Sequence, residues 1–383
     1  MYIKEIPTAD DLLNNSNYIT MFWNDVFEMA HKEKASDIHI EPNEPDMGSL
    51  RVRFRVHGDL FDFETINDPK NIRSYLTEFG KICSIDLSER MRRQDKSIYL
   101  NKTNSRYRVS MVPATSYDPE SYVLRVISLG DMPSLKNCKF SKEAEQSIFS
   151  FTRQSQGLFL VTGATGSGKT STLHAILMAV KGREKRKILS LEDPIERRLP
   201  GVRQQEISPI YTWEEGLRSF MRQDPNIILV GEIRDEESAK LTVDLANTGH
   251  LVFSTMHTNN VIETYQRLQN FHVDKLDIIK SLKFCSAQRL VQTLCEHCKI
   301  KDEATGYYRK GIGCDECKGK IPGISGMRPI LEYSLGMSDE DYLEYEKTGR
   351  VPVVTTLDQE MKNLIKEGVV DMENAFLYGD GTL

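Results

Sequence analysis

The sequence predicts an α/β protein in two parts: a larger part with a mostly parallel sheet covered by helices, and a smaller α+β part before it. Three observations lead there. A glycine-rich octet, Gly163-Ala-Thr-Gly-Ser-Gly-Lys-Thr170, follows directly on the apolar run Gly157–Thr162. Beyond it, further apolar runs alternate with helix-like segments, the pattern of strands joined by crossover helices. Ahead of residue 130 the runs instead alternate apolar and polar residues, as half-buried strands do.

At 383 residues the chain suits two or three domains. A net charge of −6 argues against coating nucleic acid by bulk electrostatics, and no basic tract interleaved with aromatics is present, so no direct nucleic-acid partner is expected. No apolar stretch approaches the ~18 residues that span a bilayer. The opening MYIKEIPTADDLLNN lacks a charged segment followed by an apolar one, which sets a soluble, cytoplasmic protein as the expectation.

In chain order, Tyr18–Lys34 spaces Ile19, Phe22, Val26, Met29 and Ala30 as one face of an amphipathic helix. Asp37–Ile40 reads as a short strand closed by Glu41-Pro42. From Leu50 to His57 the alternation is strict, with Leu50, Val52, Phe54 and Val56 on one face and Arg51, Arg53, Arg55 and His57 on the other, and Gly58-Asp59 ends the strand. Ser105–Val112 and Ser121–Ile127 form a second basic strand pair. Arg108 and Arg125 stand there among apolar residues, a costly placement unless each meets an anion. Gly130–Asn137 has linker character and places a boundary between domains of residues 1–133 and 134–383.

In the second domain the strands fall at Leu158–Thr162, Lys187–Leu191, Asn226–Val230 and His250–Thr255, and a last helix at Leu357–Glu367 stops on Gly368. The octet sits between the first strand and a helix-like segment, Thr172–Val180, which is the context of a phosphate-cradling loop. Gly163, Gly166 and Gly168 let backbone N–H groups close around phosphates; Lys169 can reach the outer ones and Thr170 can hold Mg²⁺. ATP is the ligand this loop implies.

Three strand ends follow. Leu191-Glu-Asp-Pro-Ile-Glu196 turns at Pro194, which would display Glu192, Asp193 and Glu196 at the carboxyl edge of the sheet. Asn226–Val230 runs into Glu232, placed to orient or deprotonate an attacking water, or to hold Mg²⁺ through a water. The last strand has His250 at its entry and His257 at its exit. A single histidine is more often a packed structural one; the succession behind one phosphate loop gives these their weight. Cys295-Glu-His-Cys298 and Cys314-Asp-Glu-Cys317 lie 15 residues apart, a four-thiolate Zn²⁺ spacing, against the alternative of metal-free turns. Such a site, spanning residues 290–330, has no open ligand position and would stabilise a loop. Cys83, Cys138 and Cys285 are isolated.

Several stretches in fixed order resemble the secretion ATPases of type II secretion and type IV pilus assembly: ASDIHIEP (Ala35–Pro42), RVRFRVHGDL, RYRVSMVP, YVLRVI, the octet, LEDPIE, RQDPNIILVGEIRD, TGHLVFSTMHTN, AQRLVQTLC and the paired CxxC motifs. The resemblance implies a RecA-like P-loop core, a PAS-like N-terminal domain, a homohexameric ring and an inner-membrane platform partner, the ring lying peripherally on the cytoplasmic face. It assigns Gly163, Thr165, Gly166, Ser167, Gly168, Lys169, Thr170 and Ser171 to ATP and Mg²⁺. Glu232, Glu196 and Glu192 go to catalysis, His257 to sensing the γ-phosphate with His250 in support, and Arg108 and Arg125 to ATP contacts from the N-terminal domain. The four-cysteine loop is typical of assembly and secretion members and absent from retraction members, so assembly is expected, with pilus retraction or a conjugation-type ATPase as alternatives. His57, Lys96-Ser97 and Asn226 depart from the family's usual residues. Assembly members often carry an additional N-terminal module that docks on the platform; here about 34 residues precede Ala35.

Overall fold

The computed structural model describes residues 17–42, 49–115, 119–128, 134–181, 186–317 and 321–374. Part of the expected linker, residues 130–133, lies outside them. The chain divides into two compact units, one of residues 1–131 with the short piece 317–322, the other of 132–316 and 323–383.

The first unit is a six-stranded antiparallel sheet in the order β3-β2-β1-β6-β5-β4, built of β1 (Asp37–Pro42), β2 (Leu50–Val56), β3 (Asp59–Ile66), β4 (Gln94–Leu100), β5 (Ser105–Val112) and β6 (Ser121–Ser128). His57 and Gly58, with φ of 50° and 94°, make the tight turn between β2 and β3, a conformation that matches the twist of a hairpin. Helices Tyr18–Lys32 and Ile72–Ile82 contribute to the same core as the alternate strand residues Ile38, Ile40, Val52, Phe54, Tyr107 and Leu124.

The first helix buries Trp23, Val26, Phe27 and Ala30, while Ile19, Phe22 and Met29 are only half-buried. The buried stripe is therefore turned toward its largest rings. Trp23 packs 4.6 Å from Phe79 with its indole N–H on the Tyr75 carbonyl, and Phe27 lies 4.9 Å from Tyr107.

The second unit holds a seven-stranded sheet, order β15-β12-β7-β11-β10-β8-β9, parallel except for the antiparallel edge strand β15. Its strands are β7 (Gly157–Thr162), β8 (Ile188–Glu192), β9 (Val202–Glu206), β10 (Ile227–Val230), β11 (Leu251–Met256), β12 (Leu282–Leu294) and β15 (Ile324–Ser334); the ribbon β13 (Ile300–Lys301) and β14 (Tyr308–Arg309) lies between β12 and β15 in the chain. Every residue of β7, β8, β10 and β11 is buried. Alternate positions feed two cores. Leu158, Leu160, Ile228, Val230 and Val252 join one, and Phe159, Val161, Ile227, Leu229 and Phe253 join the other. A parallel sheet covered on both faces needs such unbroken apolar runs. Polar chemistry is thereby pushed to the strand ends. Among the described residues no helix is long and apolar enough to cross a membrane.

Candidate functional site

Four strand ends meet at the carboxyl edge of the second sheet. Behind β7, Gly163, Gly166 and Gly168 take φ of 144°, 82° and 84°, backbone that L side chains rarely adopt. The loop then enters the helix Lys169–Lys181. Lys169 is 8% exposed and folds back, its Nζ donating to the carbonyls of Gly163 at 2.7 Å and Ala164 at 3.0 Å. Burial lowers its pKa, the neighbouring Glu232 carboxylate opposes that, and the Arg289 guanidinium adds to it. A buried ammonium held by carbonyls of its own loop can exchange them for the oxygens of an anion. Thr165 is exposed on the loop and Ser171 in the first turn of the helix, Thr170 is half-buried, and the Ser167 hydroxyl is a buried polar atom with no hydrogen-bond partner.

Glu232, just past the end of β10, has its carboxylate 3.3 Å from His257 Nε2 and 3.0 Å from Arg234 Nε. Arg234 reaches on to Asp193 at 3.1 Å. Burial, then the Lys169 charge, holds His257 below the ordinary histidine range, which favours a neutral ring whose Nε2–H faces the Glu232 carboxylate as a donor. Glu232, His257 and Lys169 thus form one electrostatic cluster from three strand ends.

The other expected residues distribute differently. Glu192 is not displayed at the edge but buried, 4% exposed. Its carboxylate accepts from Ser190 Oγ at 2.7 Å and Gln204 Nε2 at 2.9 Å, with His174 Nε2 3.5 Å away. Burial pushes its pKa up, but those three partners outweigh it and the net shift is downward. Glu196 is half-buried on the turn that follows Pro194. His250 sits at the amino end of β11, roughly 20 Å along the strand from His257, and its Nδ1 lies 2.9 Å from the Leu245 carbonyl. That geometry ties down a helix end and keeps His250 out of the cluster.

Arg108 and Arg125 face each other across β5 and β6 on the exposed side of the first sheet. Neither is buried, so the expected cost of an arginine in an apolar strand does not arise. The neighbouring apolar residues point to the opposite face. Arg125 also meets an anion, Asp37, at 3.4 Å.

The four sulfurs of Cys295, Cys298, Cys314 and Cys317 lie within 4.8 Å of one another, those of Cys295 and Cys314 at 3.8 Å. A tetrahedral Zn²⁺ with Zn–S near 2.3 Å sets sulfurs about 3.8 Å apart, so the donor set and its spacing fit that ion.

Arg234 and Gln288 belong to this edge and were not singled out from the sequence. Arg234 announces itself only by standing two residues after Glu232. Gln288 is an amide inside an apolar strand.

A family model described as "Type II/IV secretion system protein" matches residues 13–378. The type II secretion system protein E of Pectobacterium carotovorum subsp. carotovorum is 33% identical over 97% of this chain and 78% of its own length. The type IV pilus assembly ATPase PilB of Thermus thermophilus is 32% identical over 86% of this chain, although that match covers 38% of PilB. Among solved structures, the pilus retraction motor PilT with bound ADP shares the fold, with a TM-score of 0.65 and 22% identity over 93% of this chain and 96% of that one.

Proposed function

The chain belongs to the type II/IV secretion system protein family, a family of ATP-hydrolysing enzymes, and we propose that it is the hexameric motor assembling a type IV pilus or a type II secretion pseudopilus. The observation that carries this reading is the meeting of Lys169, Glu232 and His257 at one sheet edge. In this reading the second unit is a RecA-like core and the first a PAS-like domain, with the domains at residues 1–133 and 134–383.

The loop amides of Gly163–Thr170 bind the phosphates, with Thr165 and Ser171 at their rim, and Lys169 exchanges its own carbonyls for β- and γ-oxygens. Thr170 would hold Mg²⁺, which supplies charge neutralisation between those phosphates. Glu232 orients a water and takes its proton, while Arg234 and His257 fix the carboxylate in place. His257, kept neutral, is the group that registers the γ-phosphate. Glu196 adds a second carboxylate from the acidic turn, Glu192 braces that turn from inside, and His250 anchors the far end of β11. Arg108 and Arg125 are the N-terminal domain's contribution to ATP, which makes closure and reopening of the domains the working stroke. The four cysteines hold Zn²⁺ and stiffen the loop between β12 and β15.

The partners in this reading are five further copies of the chain and a platform protein of the inner membrane, with the ring peripheral on the cytoplasmic face. The cysteine set favours assembly over retraction, and the likeness to a retraction motor concerns the fold alone.

Phosphate release by the purified chain tests the enzyme. Lys169→Ala and Glu232→Gln are each expected to lose at least about a hundredfold in turnover; a full rate in either sinks the reading. Elemental analysis of the same preparation is expected to return one Zn²⁺ per chain, and a metal-free, folded protein removes the zinc assignment.

A further inference from the structure

Gln288, on β12, is 0% exposed, and both ends of its amide are engaged by the phosphate loop and its helix. Its Nε2 donates to the Ser167 carbonyl at 2.6 Å, and its Oε1 accepts from the Thr172 hydroxyl at 2.9 Å. A buried amide is costly unless fully satisfied, and here one region supplies every partner. Register explains how. Ala287 pairs with Thr162, the last residue of β7, so Gln288 lies level with Gly163. A Cβ on Gly163 would come 2.5 Å from the Gln288 carbonyl oxygen, and one on Gly168 would come 3.1 Å from Nε2. The loop is thus packed closely against this residue. Its neighbour Arg289 reaches Asn259, two residues past His257, at 3.1 Å to the carbonyl and 3.3 Å to the side chain. Adjacent residues of one strand thereby hold both the phosphate loop and the histidine loop.

We propose that Gln288 is a positioning residue for nucleotide binding. In a trans peptide the C=O of Ser167 and the N–H of Gly168 point in opposite directions. Anchoring the carbonyl on Gln288 therefore turns the Gly168 N–H away from β12, where it is free to serve a phosphate. The hydrogen bond to Thr172 fixes the other side of the same turn. The proposal rests on the reading of this loop as an ATP site.

The test compares Gln288→Leu, which keeps shape without hydrogen bonds, with Gln288→Glu, which keeps the acceptor for Thr172 and loses the donor to Ser167. Thr172→Val is a third variant, removing one partner should either fail to fold. Each is titrated with MgADP by calorimetry, melted without nucleotide, and assayed for KM and kcat. Folded Gln288 variants are expected to bind MgADP at least tenfold more weakly and to raise KM for ATP by a similar factor, with kcat at saturation falling less than threefold. Thr172→Val is expected to shift the same quantities by about threefold. A purely packing role would lower the melting temperature and leave KM alone. A folded Gln288→Leu or Gln288→Glu that binds MgADP within twofold of the parent overturns the proposal, as does an unshifted Thr172→Val if neither Gln288 variant folds. Failure of the parent itself to bind MgADP refutes the ATP reading instead.

Discussion

The two sheets carry their charge in opposite ways. In the first, among the described residues, helices pack on one face and the other is half-buried to exposed, so every second residue of β1, β2 and β5 is free to be polar. Its arginines are spread across that face and paired with acids: Arg51 with Asp62, Arg53 with Glu41, and Arg55 and Arg125 both with Asp37. In the second sheet β7, β8, β10 and β11 are buried throughout, so in these four strands charge is confined to the ends. There Lys169 and Glu192 are nearly buried, at 8% and 4% exposed, and Glu232 has Arg234 and His257 within 3.3 Å. An antiparallel sheet displays charge; a parallel one concentrates it. Concentration at an edge is what lets three strands build one site.

The comparison predicts unequal sensitivity to mutation. The largest effect is expected inside the parallel sheet. Phe159 is 1% exposed, stacked 4.2 Å from Phe284, with Phe151 at 5.0 Å and Phe253 at 5.5 Å. Phe159→Ala removes the ring that the other three pack against and is expected to cost about 3–5 kcal/mol in chemical denaturation. A loss below about 1 kcal/mol would show that the covered sheet is not where the second unit keeps its stability.

The same contrast explains what could be read from sequence. The unbroken runs of β7, β10 and β11, and the strict alternation of β2, are periodicities within one segment. Strand positions therefore lay open, as did the placement of the octet and of Glu232 and His257 at strand ends. Pairing between segments is not a local property. Arg108 and Arg125 looked expensive because Val109, Met111 and Leu124 surround them in the chain; only the register shows that those neighbours face the helices while the arginines face out. Glu192 looked displayed because it adjoins a turn, yet Ser190, Gln204 and His174 take it inward. Gln288 was hidden most completely, its two partners lying 121 and 116 residues away.

The smallest effect is expected on the arginine-bearing face of the first sheet, and its salt dependence is more telling than its size. Asp37, in β1, is the acid shared by Arg55 at 3.8 Å and Arg125 at 3.4 Å, and Arg108 stands next along the same row of paired residues. Asp37→Asn keeps the shape and the Ser36 contact but leaves Arg55 and Arg125, on either side of it, without their shared acid. Both arginines are well exposed, so the pairings are worth little individually, and a loss of about 1 kcal/mol or less is expected. Most of it is like-charge repulsion through solvent, which ~1 M salt screens to within about 3 Å. Denaturation midpoints of parent and variant should therefore differ at low salt and converge at high salt. A loss as large as that of Phe159→Ala, or one indifferent to salt, would mean that Asp37 is packed like a core residue. The difference between a displayed and a concentrated charge would then fail on the first sheet.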